Sequence, residues 1–252
     1  MTAPDPSLDP SLDASSEPSI AAAVKQVLDR VSAAALRLGR PADSVCLIAV
    51  TKTCPAEAIC AAYAAGVRHF GENRVQEWEA KRAQVGDLPG AAFHMIGHLQ
   101  RNKARRAVAL FQRIDSVDNL ALARKLDEFA AQAERILPVL IEVRLSEEPD
   151  KTGVEPGSLF PLAQEVARCS HLSLRGLMTI PPWSEQADFA RPYFRRLREL
   201  RDEIAGRLAH PLPVLSMGMT HDFEIAIEEG ATEVRVGTGI FGPRAGPAAE
   251  AD

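Results

Sequence analysis

Val45-Cys46-Leu47-Ile48-Ala49-Val50-Thr51-Lys52-Thr53-Cys54 is the stretch on which the reading of this chain turns. The run Val45–Val50 is apolar, rich in β-branched residues and bounded by polar ones. That is the pattern of a strand buried on both faces. A single lysine stands where the strand ends, followed by Pro55 and an alanine-rich helical segment. A lysine in that place either reaches out to solvent or is desolvated, loses its proton and acts as an amine nucleophile toward a carbonyl. The rest of the chain decides between the two.

Working outward, the spacing predicts a helix over Ile20–Leu38, with Val24, Leu28, Val31, Ala35 and Leu38 on one face and Gly39 and Pro41 as its stop. Further strands are predicted at Val67–Phe70, Phe93–Ile96, Arg113–Ser116, Pro138–Val143, Leu174–Thr179, Val214–Ser216 and Glu233–Val236. Helical segments begin near Pro55, Asn73, Asn102, Asn119, Pro156, Gln186 and His221. Eight strands in strict alternation with helices make a parallel sheet, and eight units close it. The expected fold is therefore α/β, a single-domain (β/α)8 TIM barrel with an extra N-terminal helix. An open doubly wound sheet would place a glycine-rich turn after its first strand. Here that turn is TKTCP, without glycine. Residues 1–16, acidic and proline-rich, are expected to form a disordered tail, residues 17–246 the barrel, and residues 247–252 a frayed end.

Composition narrows the function classes. The chain is 46% hydrophobic and 25% charged over 252 residues, enough to bury a sizeable core. A net charge of −5 argues against nucleic acid as a partner. No stretch is apolar and long enough to span a membrane, and the first residues lack the basic start and apolar core of a targeting signal. The four cysteines, Cys46, Cys54, Cys60 and Cys169, show neither CxxC nor metal spacing, which suits a reducing, cytoplasmic setting. Cys46 and Cys60 read as inert residues in apolar surroundings.

In a barrel of this kind the chemistry sits at the C-terminal ends of the strands. Those positions are Lys52, then Gly71-Glu72-Asn73, His94, Gly97 and Gln100, Asp115 and Ser116, Arg144, Met178 and Thr179, Ser216 to Met219, and Arg235 to Gly239. Phosphate sites in barrels are often built from the loops after strands seven and eight, where glycines admit a close backbone approach and hydroxyls donate. Ser216, Gly218, Gly237, Thr238 and Gly239 meet that requirement. An amine on strand one with a phosphate site on strands seven and eight suits pyridoxal phosphate, which presents an aldehyde and a phosphate. Arg235 is the residue available for the pyridine nitrogen; arginine only donates, so it would leave that nitrogen unprotonated and weaken the ring as an electron sink.

The segments AVTKTCP, HFGENRVQE, FHMIGHLQRNK, IDSVDN, DKTG, LRGLMTI, LSMGMTHDFEIAI and VRVGTGIFGPR, in this order from about Val45 to Arg244, resemble the pyridoxal phosphate homeostasis proteins. These are single-domain fold-type III barrels similar to the N-terminal domain of alanine racemase. The resemblance implies that the chain binds pyridoxal 5'-phosphate as an internal aldimine on Lys52. It further implies that Ser216, Gly237 and Thr238 hold the phosphate and that Arg235 faces the ring nitrogen; Asn73 after strand two and Gly218 after strand seven are expected to join them in binding the cofactor. It also implies a role in storing and delivering the cofactor, with apo-enzymes that use it as recipients. The chain departs from the family where Cys54 replaces a frequent lysine, Arg144 a frequent asparagine, and Thr220-His221-Asp222 a frequent Ser-Asp-Asp. Arg144 is thereby expected to add a cation near the cofactor mouth.

Other candidates carry less. His94 and His98 flank Gly97 without a local carboxylate or cysteine, so no metal is expected, and His94 reads as a packed or cofactor-side residue. The basic run Gln100–Arg106 reads as a solvated helix face or an anion-binding surface. Trp78 and Trp183 read as packing or mouth residues. The alternative class is a fold-type III racemase or decarboxylase. A two-base racemase needs a second acid–base group opposite the lysine. In alanine racemase-like enzymes a tyrosine on an additional C-terminal domain supplies it, whereas both tyrosines here, Tyr63 and Tyr193, fall in helical segments. The sequence therefore favours a carrier over an enzyme.

Overall fold

The computed structural model describes residues 19–146, 148 and 152–243. The expected tail (1–16), the frayed end (247–252) and the start of the DKTG segment lie outside the described residues. The strands are β1 (Cys46–Val50), β2 (His69–Glu72), β3 (Ala92–Met95), β4 (Arg113–Val117), β5 (Leu137–Glu142), β6 (Leu172–Met178), β7 (Val214–Ser216) and β8 (Glu233–Val236). All pair in parallel in sequence order, and β8 returns to β1 to close the barrel. No strand end lies more than two residues from its expected place.

The helices are α1 (Ile20–Arg37), α2 (Ala56–Ala64), α3 (Val75–Val85), α4 (Ala104–Leu110), α5 (Leu120–Gln132), α6 (Pro156–Arg168), α7 (Arg191–Leu208), α8 (Phe223–Glu228) and α9 (Thr238–Phe241). They form the outer layer, and their apolar stripes bury the outward faces of the strands. Trp78 of α3 shows the packing: its ring stacks on Phe93 of β3 at 3.8 Å, and its Nε1 donates to the Leu110 carbonyl. It is a packing residue.

The extra helix α1 begins at Ser19, whose hydroxyl accepts from the Ala22 amide as an N-cap. Its buried stripe is Ala23, Val24, Val27, Val31, Ala34 and Ala35. Leu28 and Leu38, expected on that face, are exposed at 37% and 44%. Leu28 falls just past the edge of the stripe, and Leu38 follows the last helical residue, where the chain turns away.

Part of the barrel interior is ionic. Arg113 opens β4 and Glu233 opens β8, strands on opposite sides of the closed sheet, yet they hydrogen-bond directly at 2.5 and 2.8 Å. Both side chains therefore cross the lumen. The same guanidinium binds both carboxylate oxygens of Asp115, at 2.6 and 2.8 Å. His94 joins from β3, 3.7 Å from Asp115 and 3.0 Å from the His69 ring nitrogen. Burial works against the Arg113 charge, but the two carboxylates more than offset it and hold its pKa above the ordinary value. Asp115 is likewise held low, its burial outweighed by Arg113 and His94.

Of the two readings of His94, packed or cofactor-side, the structure gives the packed one. His94 pairs in register with Arg113, the first residue of β4, so both belong to the lower part of the lumen. Removing the shared cation strands two buried carboxylates. Arg113→Met is expected to cost about 3–5 kcal/mol in urea unfolding, and a loss below about 1 kcal/mol would show that the cluster does not hold the barrel floor.

Candidate functional site

Above this floor, the C-terminal rim encloses a cavity of about 360 Å³, a size suited to a small molecule. Lys52 reaches it from the end of β1, Asn73 from β2, Arg235 from β8, and Gly237 and Thr238 from the loop into α9. Five residues expected far apart in sequence thus share one wall. Lys52 and Thr238 also line a smaller cavity of about 220 Å³ together with Ile20 of α1 and Phe241 of α9.

Each position has a local cause. Gly97 makes the placement of Asn73 possible: a Cβ there would stand 2.4 Å from the Asn73 carbonyl oxygen. Arg235 is buried beneath the cavity, where Nη1 donates to the Ser216 hydroxyl and Nη2 to the Thr179 carbonyl, both at 2.8 Å. Burial pushes its pKa down against the opposing charges of Asp115, Glu142, Asp222 and Glu233. Arginine nonetheless keeps its charge in proteins. Across the cavity, Glu142 at the end of β5 accepts from Thr152 at 2.9 Å, and burial pushes its carboxyl up.

Two expected residues are not among those lining the cavity. Ser216 is fully buried and its hydroxyl accepts from Arg235, so it holds the arginine and does not line the cavity. Gly218 is also absent from the wall. It adopts φ +90°, and a Cβ would stand 2.6 Å from that of Ala226, so it serves the packing of the β7 loop on α8. The sequence reading missed Thr220. Its hydroxyl lies 3.1 Å from that of Thr238 and accepts from the Gly239 amide at 3.2 Å. The available signal was a hydroxyl residue kept in the glycine-containing loop after β7.

At the mouth, Trp183 is 75% exposed and stands with Ile180 on the rim. Arg144 pairs with Glu155 and is not among the residues lining the cavity. A wider open groove of about 950 Å³ runs past Arg101 and Arg124 and holds none of the expected residues. Two of the cations lining it are paired, Lys125 with Glu128 and Arg124 with Glu165. Within the basic run, Arg106 is paired with Glu79. Among the described residues no group of three or more acidic, histidine or cysteine side chains is placed to hold a metal ion.

Comparison with known proteins agrees with the geometry. The family model for the N-terminal domain of alanine racemase matches residues 26–245. The chain is 43% identical over 221 residues to the pyridoxal phosphate homeostasis protein of Aquifex aeolicus (strain VF5), covering 88% of this chain and 96% of that protein. It belongs to the pyridoxal phosphate homeostasis protein family. PipY of Synechococcus elongatus PCC7942, solved with PLP bound, is 43% identical with a TM-score of 0.76, over 86% of this chain and 100% of that one. Alanine racemase of Corynebacterium glutamicum, at 18% identity and a TM-score of 0.64, over 91% of this chain and 63% of that one, shares the fold alone.

The Ser216–Arg235 contact is testable without any ligand. Ser216→Ala removes an acceptor from a buried cation and is expected to cost about 1.5–3 kcal/mol of stability in the ligand-free protein. An unchanged unfolding midpoint would return Ser216 to the set of ligand contacts.

Proposed function

We propose that the chain binds pyridoxal 5'-phosphate in the rim cavity through Lys52, stores it, and yields it to apo-enzymes in the cytoplasm without turning over amino acids. One observation carries this reading. An amine (Lys52), a buried fixed cation (Arg235) and a pair of hydroxyls (Thr220 and Thr238) line a single cavity of small-molecule size. The names of the relatives and the PLP-bound PipY structure support it. No disulfide links the four cysteines, and no described helix is long and apolar enough to cross a membrane.

The donor set fits the cofactor. Lys52, at a strand end on the cavity wall, would supply the nucleophile for an aldehyde. Thr220, Thr238 and the backbone at Gly237 would hold a phosphate. Arg235 commits only part of its fork to Ser216 and Thr179, so further N–H groups remain for a ring nitrogen. When bound, pyridoxal phosphate supplies an aldehyde for condensation and a ring that delocalises negative charge. Arg235 would limit the second property, because it offers the nitrogen a hydrogen bond and no transferable proton. Neither described tyrosine reaches the cavity: Tyr63 donates to the Pro89 carbonyl and Tyr193 packs beside Phe189. The titratable groups on the wall besides Lys52 are His98, Glu142 and His221. They are the groups a racemase or decarboxylase reading would have to use.

Adding pyridoxal phosphate is expected to produce visible absorbance, and borohydride should fix the label on Lys52. Lys52→Ala should lose both while remaining folded. Thr238→Val removes a donor to a charged acceptor, about 1.5–3 kcal/mol, and should weaken binding roughly ten- to a hundredfold. The loaded protein should transfer cofactor to an apo-enzyme, and no common amino acid should be racemised or decarboxylated at about 1 s⁻¹ or faster. Turnover at that rate, lost in Lys52→Ala, would overturn the storage reading in favour of the enzyme.

A further inference from the structure

The turn that carries Lys52 is strained and gripped from outside. Residues Thr51 to Cys54 form a four-residue turn closed by the Cys54 amide on the Thr51 carbonyl at 3.1 Å. Thr53 lies in its third position at φ +62°. A turn of this hand takes glycine there. For a β-branched residue the conformation is an outlier costing about 1–3 kcal/mol, sustained only where the surroundings over-determine it. The other non-glycine residues with positive φ among those described are Glu134 and Ala209, both just past helix ends. Strain at Thr53 therefore has a separate origin.

Its surroundings supply the restraint. Glu77 of α3 accepts from the Thr53 amide at 2.5 Å. Lys81, one turn further along α3, donates to the Thr51 carbonyl at 2.7 Å. The Lys81 ammonium also meets Glu72 at 2.7 Å and Glu77 at 3.1 Å, which engages all its N–H groups. Glu72, fully buried at the end of β2, accepts from the Thr51 hydroxyl at 2.5 Å. The Thr51 carbonyl belongs to the peptide plane before the Lys52 Cα, and the Thr53 amide to the plane after it. Fixing both planes fixes the two backbone angles of Lys52 and so the direction in which its side chain leaves the backbone. None of these three ionic groups lines the cavity.

We propose that Glu77 and Lys81 of α3, backed by Glu72 of β2, are positioning residues for Lys52: they clamp both flanking peptide planes and hold Thr53 in a conformation it avoids. The amine is thereby aimed along one direction into the cavity. This inference rests on the reading of Lys52 as the cofactor-bonding amine. The step it serves is a condensation: the unprotonated Lys52 nitrogen bonds to the aldehyde carbon, and the aldehyde oxygen leaves as water with the two amine protons. An aimed nucleophile gains in rate because its approach is already restricted.

The clamp separates covalent bonding from pocket affinity, and two probes read the two separately. Pyridoxal phosphate reports bond formation through visible absorbance and borohydride-fixed label on Lys52. Pyridoxine phosphate, which has no aldehyde, reports the pocket alone. Thr53→Gly relieves the strain, so the unfolding midpoint should stay or rise while bond formation slows about tenfold or more. Glu77→Ala should slow it similarly, and Glu77→Gln, which keeps an oxygen for the Thr53 amide, should recover to within about threefold of the parent. Pyridoxine phosphate affinity should stay within about threefold in all three variants. A merely structural role predicts parallel loss with both probes and a lower midpoint in Thr53→Gly; that result overturns the inference. Bond formation at the parent rate in both Thr53→Gly and Glu77→Ala overturns it as well. Failure of the parent protein itself to label Lys52 overturns the functional reading and this inference with it.

Discussion

A cation in a barrel lumen cannot stand alone, and this constraint orders the whole interior. An eight-stranded barrel has just enough interior to be filled by side chains. Here part of that filling is ionic. Arg113 reaches across from β4 to Glu233 on β8 and satisfies Asp115 with the rest of its fork. The low-dielectric interior makes such a group strong when complete and costly when broken. The cluster therefore ties opposite walls together and closes the lower lumen, leaving the upper lumen to form a site.

One strand spans both halves. Glu233 and Arg235 are two residues apart on β8, so their side chains share the lumen face at different depths. Glu233 completes the floor, whereas Arg235 stands above it, held by Ser216 and Thr179 at the ends of β7 and β6. The floor also contributes to the site, since Asp115 and Glu233 help to offset the buried charge of Arg235. A substitution in the floor is thus felt at the rim without touching a ligand.

Much of this was legible in the sequence, for reasons that also mark the limit. The strands are short apolar runs set between helical spacings, and eight repeats of one alternation leave few topologies. Once the barrel is accepted, its C-terminal rim selects Lys52, Asn73, Arg235, Gly237 and Thr238 by position alone. What stayed hidden depends on depth and direction. The support that the Ser216 hydroxyl gives to a buried guanidinium is one such feature. His94 read as either packed or cofactor-side, and its contact with Asp115 inside the lumen decides for packing. Thr220 looked like a departure from a pattern although it kept the hydroxyl that faces Thr238. The Glu77 and Lys81 grip joins residues 24 and 30 positions apart through side-chain contacts that no local spacing announces.

Closure of the barrel also explains why the first strand and the last can share one site. Ile48 and Ala49 of β1 pair with Arg235 and Val236 of β8, so the amine-bearing end of β1 and the hydroxyl-bearing loop after β8 are neighbours across the seam. That seam is where an eight-unit chain is most exposed to opening, because no crossover helix joins its two strands. The additional helix α1 packs against α2, α8 and α9, the helices flanking the seam, and its Ile20 lines the smaller cavity beside Lys52 and Thr238. A helix outside the eight-unit count therefore braces the junction on which the amine and the hydroxyls must stay in register. The geometry of the site rests on the docking of α1 as well as on the residues that line the cavity.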